Sequence, residues 1–216
     1  MQTTTRLAFR AAFALSIFSS FANAQSTYQM DRDAVSFGAR SFDQANDRTD
    51  WSAISAGCVI PTGASTGRFA VISTNGDVFS AFSGAPTPPS TGYAGIAVGA
   101  DHIVAVVRGT GAVRSWGSNS SGQTSVPGTL SACSRVAAGA LHSVALQTNG
   151  VVVCWGSNAD SQCSTPSGLL ATQIAAGASH TLAVNTVGTI VGWGSNSNGQ
   201  VDPQPAITSP VQIAAG

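Results

Sequence analysis

Asn149-Gly150-Val151-Val152-Val153-Cys154-Trp155-Gly156-Ser157-Asn158 is the stretch whose reading decides the fold. Asn-Gly accepts the positive φ angles that a two-residue hairpin turn demands. The run from Val151 to Trp155 is apolar on both faces, as in a strand covered from both sides. The phrase that closes it recurs as Trp116-Gly117-Ser118-Asn119 and Trp193-Gly194-Ser195-Asn196. Each copy is followed, seven residues past the tryptophan, by a glutamine: Gln123, Gln162 and Gln200. A second phrase keeps step: Ile96-Ala97-Val98-Gly99, Val136-Ala137-Ala138-Gly139, Ile174-Ala175-Ala176-Gly177 and Ile213-Ala214-Ala215-Gly216, at intervals of 40, 38 and 39 residues. A period near 40 built from short β-type runs predicts an all-β chain, a β-propeller whose blades are four-stranded.

One full repeat shows the expected blade. Ser134 to Gly139 reads as a first strand and Leu141 to Gln147 as a second. The Asn149-Gly150 hairpin leads into the third strand, and Gly156 to Gln162 is a turn. A weak fourth strand is expected before Pro166. Upstream the pattern thins. Ile54-Ser55-Ala56-Gly57 is a glycine phrase 42 residues before Gly99, with Asn75-Gly76 as its hairpin and Phe82 in place of the tryptophan. Pro86, Pro88 and Pro89 then stiffen the loop that runs to Tyr93. Further back, Phe37-Gly38 precedes Gln44 by the same seven residues, so residues 34–44 read as a worn strand pair placed to close a ring. About four glycine-to-glycine units are present, fewer than a closed ring needs, and a truncated propeller is expected.

Residues 1–24 read as a secretory signal peptide. Arg6 and Arg10 supply the positive start, the stretch from Leu7 to Phe21 is otherwise apolar or small, and Ala22-Asn23-Ala24 is a small-x-small cleavage site. The division that follows is 1–24 signal, 25–50 an N-terminal segment with the degenerate strand pair, and 51–216 the repeat region. The implied location is secreted or periplasmic, with no membrane span after signal removal.

Charge excludes one class of partner. The chain has no Lys and no Glu; its nine cations are all Arg and its nine anions all Asp. No Arg occurs after Arg135 and no basic patch forms, which argues against nucleic-acid binding by phosphate neutralisation. No nucleophile elbow, phosphate-binding loop or calcium-loop signature occurs either. The carboxylates of the repeats, Asp77, Asp101, Asp160 and Asp202, stand at non-equivalent positions, and nothing pairs any two of them. Asp31, Asp33, Asp43, Asp47 and Asp50 intermingle with Arg32, Arg40 and Arg48 as a solvated entry segment. No catalytic residue, metal ligand set or cofactor is assigned.

The repeated residues are read as structural. His102, His142 and His180 each lie three residues past a phrase glycine, Gly99, Gly139 and Gly177. Equivalent positions in successive blades spread around a ring and cannot converge on one metal ion. A hydrogen bond from each imidazole to a backbone group near the hub or between blades is expected. Trp116, Trp155 and Trp193 are expected to fill the gaps between adjacent blades, while Trp51 breaks the pattern and is the more exposed candidate. Asn119, Asn158 and Asn196 are expected to hold the turn with side-chain-to-backbone bonds. Cys154 and Cys163 bracket one turn and occur together in a single repeat, which points to a local disulfide; Cys58 and Cys133 are left either paired or free. The non-repeating residues Phe79, Tyr93 and Arg114, with the Pro86–Tyr93 loop, are the candidate partner-binding anchors, because hot spots favour aromatics and Arg.

The phrases Val136 to Leu146, Asn149 to Asn158 and Gly122-Gln123 resemble regulator of chromosome condensation repeats, specifically over residues 96–216 and weakly over 34–95. The short period, with Val126-Pro127 after Gly122-Gln123, is most similar to a compact secreted bacterial branch that includes a propeller-type β-lactamase inhibitor protein. That resemblance implies a fold of seven blades, which at this period takes about 270 residues. The export signal, the repeats and the absence of a catalytic set point to a non-enzymatic module that binds an unidentified protein through its rim loops, monomeric if the propeller is complete. Two other readings stay open: an extracellular carbohydrate-binding or hydrolytic propeller using Asp101 or Asp202, and the propeller part of a larger cell-surface protein.

Overall fold

The computed structural model describes residues 51–56, 69–73, 76–80, 92–202 and 210–216, within the compact unit Arg48–Gly216. The signal peptide, the worn strand pair, Cys58, Phe82 and the loop 86–91 lie outside the described residues. Twelve strands and no helix occur among them, so no described helix is long and apolar enough to cross a membrane.

The strands form four antiparallel meanders, each of three strands in sequence order. The first is β1 (Trp51–Ala56), β2 (Phe69–Ser73) and β3 (Val78–Ser80). The second is β4 (Tyr93–Val98), β5 (His102–Val107) and β6 (Val113–Gly117). The third is β7 (Cys133–Ala138), β8 (His142–Gln147) and β9 (Val152–Gly156). The fourth is β10 (Ala171–Ala176), β11 (His180–Asn185) and β12 (Ile190–Gly194).

The sheets repeat in detail. The opening strand of each carries a register shift at the same place, between Trp51/Ala53, Tyr93/Gly95, Cys133/Arg135 and Ala171/Gln173. A bulge of this kind bends the strand and raises its twist, so the thin N-terminal repeat is a blade by the same backbone criterion as the others. Central strands are covered on both faces: all six residues of β8 are buried. That is why Ile103–Val107 of β5 and Val144–Leu146 of β8 read as continuous apolar runs rather than alternating ones.

The cores lie between sheets, not within them. Ala70 and Ile72 pack with Tyr93, Val98, Ile103, Ala105 and Trp116 between the first and second meanders. Val104, Val106, Val113, Cys133, Ala145 and Trp155 fill the next gap. Ala137, Val144, Leu146, Val152, Ala171, Ala183 and Trp193 fill the third. Each blade thus buries its apolar surface only against its neighbours, as in other stacked-repeat architectures.

Among the described residues each blade has three strands, not the four expected. After Gly156 the chain makes an Asn-stabilised turn, then two further turns closed by Thr165 N–H to Cys163 O (2.9 Å) and Leu169 N–H to Pro166 O (3.2 Å). Only an isolated bridge, Val151 with Leu170, remains of edge pairing there. The short connection is consumed by turns, and Pro166 has no N–H for a ladder.

Candidate functional site

The polar residues that recur in every repeat meet at the seams between blades. Nε2 of His102 lies 2.9 Å from Oγ of Ser143 in the next sheet. That hydroxyl donates onward to the carbonyl of Gln123, at 2.8 Å. One seam further on, Nε2 of His142 lies 3.1 Å from Oγ1 of Thr181, and Thr181 donates to the carbonyl of Gln162 at 2.9 Å. Because each hydroxyl proton is committed to a carbonyl, the imidazole must be the donor at Nε2. The neutral Nε2–H tautomer follows for both rings. Their Nδ1 atoms are buried without a hydrogen-bond partner. The expected imidazole partner was a backbone group; the observed one is a hydroxyl on the neighbouring blade, with the backbone carbonyl one step further along the relay.

Burial sets the electrostatics of this relay. His102 and His142 are fully buried. Desolvation pushes His102 down to about 4, partly offset by a backbone group of His142. Desolvation also pushes His142 to about 4, and repulsion from His102 and His180 adds to it. His180 is lowered by burial as well. All three are neutral at pH 7, which suits a seam with no counter-charge.

The phrase glycines make room for these rings. A Cβ on Gly139 would overlap Cε1 and Nδ1 of His142 and come within 2.5 Å of the Gly177 carbonyl. Gly99 and Gly177 are placed alike: a Cβ there would come within 2.5 Å of the Gly139 carbonyl and 2.7 Å of the Gly216 carbonyl, respectively. Blade therefore approaches blade through glycine, and the histidine stands on it.

The tryptophans lie in the same seams: Trp116, Trp155 and Trp193 are each 7 % exposed, every one packed against the preceding blade. Trp155 donates its indole N–H to the Gln123 carbonyl at 2.9 Å, whereas Nε1 of Trp116 and of Trp193 is buried without a partner. Trp51 lies on β1; its side chain is outside the described residues. The turn after each tryptophan repeats one pattern. Oδ1 of Asn119, Asn158 and Asn196 accepts from the backbone N–H of Thr124 (2.9 Å), Cys163 (2.8 Å) and Val201 (3.0 Å). Oε1 of Gln123, Gln162 and Gln200 accepts from the N–H of Ser121, Asp160 and Asn198, each at 2.8 Å. Cys154 and Cys163 form a disulfide across this turn, Cα to Cα 5.0 Å. Cys133 is a buried free thiol, its ionisation pushed up by burial.

The candidate anchors separate. Arg114 is exposed on β6. Phe79 lies on β3, and its side chain is outside the described residues. Tyr93 is corrected: at 1 % exposure it is a core residue, its ring 5.9 Å from that of Trp116 and tilted by 46°. It opens β4, where the bulge turns it into the seam, so no partner can reach it.

Charge divides between the two rims. Asp101 lies in the β4–β5 turn, and Asp160 and Asp202 in the turns after β9 and β12. Ser118, Ser157 and Ser195 bond back to Asp101, Leu141 and Ser179, which places all these turns at one end of the sheets. Arg108, Arg114 and Arg135 lie toward the opposite, hairpin end, as does Asp77. Among the described residues no three His, Cys, Asp or Glu side chains converge as a metal site would require. Sequence reasoning missed Ser143 and Thr181, although a signal was there. A hydroxyl follows the histidine of a repeat when the previous repeat has a histidine, and Ile103 stands at that position where Arg68 precedes it by one repeat.

Blades of this construction, stacked through glycine-backed seams, define a β-propeller. Residues 94–123, 133–162 and 171–200 match the model of the regulator of chromosome condensation (RCC1) repeat. No curated protein matches the chain. Solved structures match it as a fold. The CRINKLY WD40 ectodomain of the Arabidopsis thaliana receptor kinase ACR4 is 21% identical with a TM-score of 0.53, over 75% of this chain and 53% of that one. The ectodomain of the Physcomitrella patens receptor kinase CR4 is 19% identical with a TM-score of 0.62, over 77% and 48%. Prp20p of Saccharomyces cerevisiae, described with its binding to Gsp1p and histones, is 20% identical with a TM-score of 0.53, over 62% and 43%. The chain spans about half the length of these structures.

Proposed function

We propose that the protein is an exported, non-enzymatic propeller that binds another protein through its rim. The observation that carries this reading is the use of the repeated polar side chains. His102, His142, Gln123, Gln162 and the turn asparagines are spent on holding turns and seams. The chemistry left to vary from blade to blade is on the rims, where hot spots favour exposed Arg. Arg114 is the leading anchor, on the end of the sheets that also carries Arg108 and Arg135, and an acidic surface on the partner complements it. The signal-like N-terminus, the resemblance to a compact secreted branch, the Cys154–Cys163 disulfide and the ectodomain propellers among the fold neighbours support an extracytoplasmic location, where disulfides persist.

The test is affinity capture from extracytoplasmic fractions with the exported chain, followed by quantitative binding of the captured protein to Arg114→Glu. The reading expects one specific partner and a loss of binding of tenfold or more on charge reversal. Capture of no protein, or binding indifferent to Arg114→Glu and to Arg135→Glu, overturns it.

A further inference from the structure

Among the three described turns that follow a tryptophan, the one closed by a disulfide differs from the others in two further ways. Gly122 and Gly199, each just before the turn glutamine, have φ of 81° and 75°. Ser161 stands at the same place in the third sheet's turn with φ 63°, the one non-glycine residue with positive φ among the described residues. Glycine adopts this conformation freely, whereas a Cβ there crowds the backbone. The second difference is a missing donor. The Gln123 carbonyl accepts from both Ser143 Oγ and Trp155 Nε1, at 2.8 and 2.9 Å. The Gln162 carbonyl accepts from Thr181 Oγ1 at 2.9 Å, while Nε1 of Trp193 is buried without a partner. The turn from Ser157 to Cys163 is thus strained where its counterparts are relaxed, and it grips the next sheet with one hydrogen bond fewer than the turn before it.

The disulfide sits where it offsets both. Cys154 packs against the core that Val144, Val152 and Trp193 share between the third and fourth sheets. Cys163 directly follows Gln162, and its N–H is held by Asn158 Oδ1 at 2.8 Å. The bond therefore ties the core of the seam to the residue beside the carbonyl on which the His142–Thr181 relay ends. In the second repeat Ser115 and Thr124 stand in these places and no covalent tie is possible; there the turn has its glycine and both donors. Cys154 and Cys163 are only half-buried, so a small dithiol can reach them.

From this we propose that Cys154–Cys163 is a redox latch on one seam. A dithiol reductant that opens it releases the turn from its left-handed Ser161 conformation, draws the Gln162 carbonyl off Thr181, and loosens the third sheet from the fourth while the second and third stay closed. In the exchange a thiolate of the reductant attacks one sulfur, its second thiol resolves the mixed disulfide, and it leaves as its own disulfide; two electrons and two protons pass to Cys154 and Cys163. Asp160, exposed in the same turn, moves with it, so the redox state sets the shape of the rim that carries it.

The test is amide hydrogen exchange of the full chain, read by NMR at pH 7 before and after dithiothreitol. The N–H groups of Asp160 and Cys163 report the latched turn. Those of Ser121 and Thr124, held by the same kinds of acceptor in the second sheet's turn, are the internal control. Reduction should speed exchange at Asp160 and Cys163 by about tenfold or more, the range that the left-handed penalty of a non-glycine residue supplies, with no change at Ser121 and Thr124. In the reduced chain the His142 imidazole should titrate above its value of about 4, and His102 should not move. Ser161→Gly should return Asp160 and Cys163 of the reduced chain to slow exchange, a rescue that a disulfide acting only on the unfolded chain would not produce. The double variant Cys154→Ser, Cys163→Ser repeats the comparison without reductant. Exchange unchanged on reduction, equal acceleration in the control turn, or no rescue by Ser161→Gly overturns the latch. So does a disulfide that dithiothreitol reduces only as fast as the chain unfolds.

Discussion

Acid should weaken this fold well before its carboxylates protonate. His102 and His142 are buried as neutral Nε2–H tautomers and titrate at about 4, against an unfolded value near 6.5. Above pH 6.5 both states are neutral and the groups add no pH dependence. Below it the unfolded chain takes up protons that the folded chain refuses, so stability falls as pH falls, until the folded value near 4 is passed. Each histidine then costs about 2 kcal/mol at pH 5 and about 3.4 kcal/mol in the limit. The two together remove about 4 kcal/mol by pH 5, a large share of the 5–15 kcal/mol that holds a typical domain. His180, lowered in the same direction, adds to the slope. The structural cause is specific: a second proton at Nδ1 would put a charge into a buried seam, and at His142 it would also lie beside two other imidazoles. The assay is urea denaturation from pH 7.5 to 5, a window in which ordinary aspartates stay ionised. The expected slope through pH 5.5 is about 2–3 kcal/mol per pH unit, and His142→Gln should remove its own share. A denaturation midpoint that is flat across this window, or a slope unchanged in His142→Gln, would refute the assignment of neutral seam histidines.

The remaining expectations follow from the same seams. Gly139→Ala should destabilise by about 3 kcal/mol or more, because the new methyl meets the His142 ring and a backbone carbonyl at once; a stability by urea denaturation within about 1 kcal/mol of the parent would show that the blades can spread. Trp155→Phe should cost about 1 kcal/mol more than Trp193→Phe, since only Trp155 gives up a hydrogen bond, the one to Gln123; equal urea midpoints would contradict this. Reducing Cys154–Cys163, which closes a loop of sequence separation 9, should lower stability by about 2–3 kcal/mol, seen as a lower melting temperature in dithiothreitol that Cys154→Ser reproduces. Thr181→Val, nearly isosteric, should cost about 1–3 kcal/mol, because it strands both His142 Nε2 and the Gln162 carbonyl.

Periodicity made the architecture legible because a propeller repeats its backbone as well as its side chains. Asn158, Gln162, Trp155 and Gly139 recur because each solves a problem that every blade meets: a turn to close, a gap to fill, a close approach to permit. What repetition could not show was direction. The histidine's partner lies 39 to 41 residues away, in the next repeat, so the pair becomes visible only when neighbouring repeats are compared diagonally. Read that way, Ser143 answers His102, Thr181 answers His142, and Ile103 has no histidine to answer. Tyr93 misled for the opposite reason. It does not repeat, and a non-repeating aromatic beside a proline-rich stretch looks like a loop anchor. Yet the bulge that opens β4 delivers it to the Trp116 seam. The fourth strand failed because the connection after β9 is taken up by successive turns and a proline, which leave only the Val151–Leu170 bridge of edge pairing. Conformational rules that act within one repeat were therefore readable in the sequence. Contacts between repeats set which residues are buried, which histidines are neutral and which surface is left for a partner, and they needed the stacked blades to be seen.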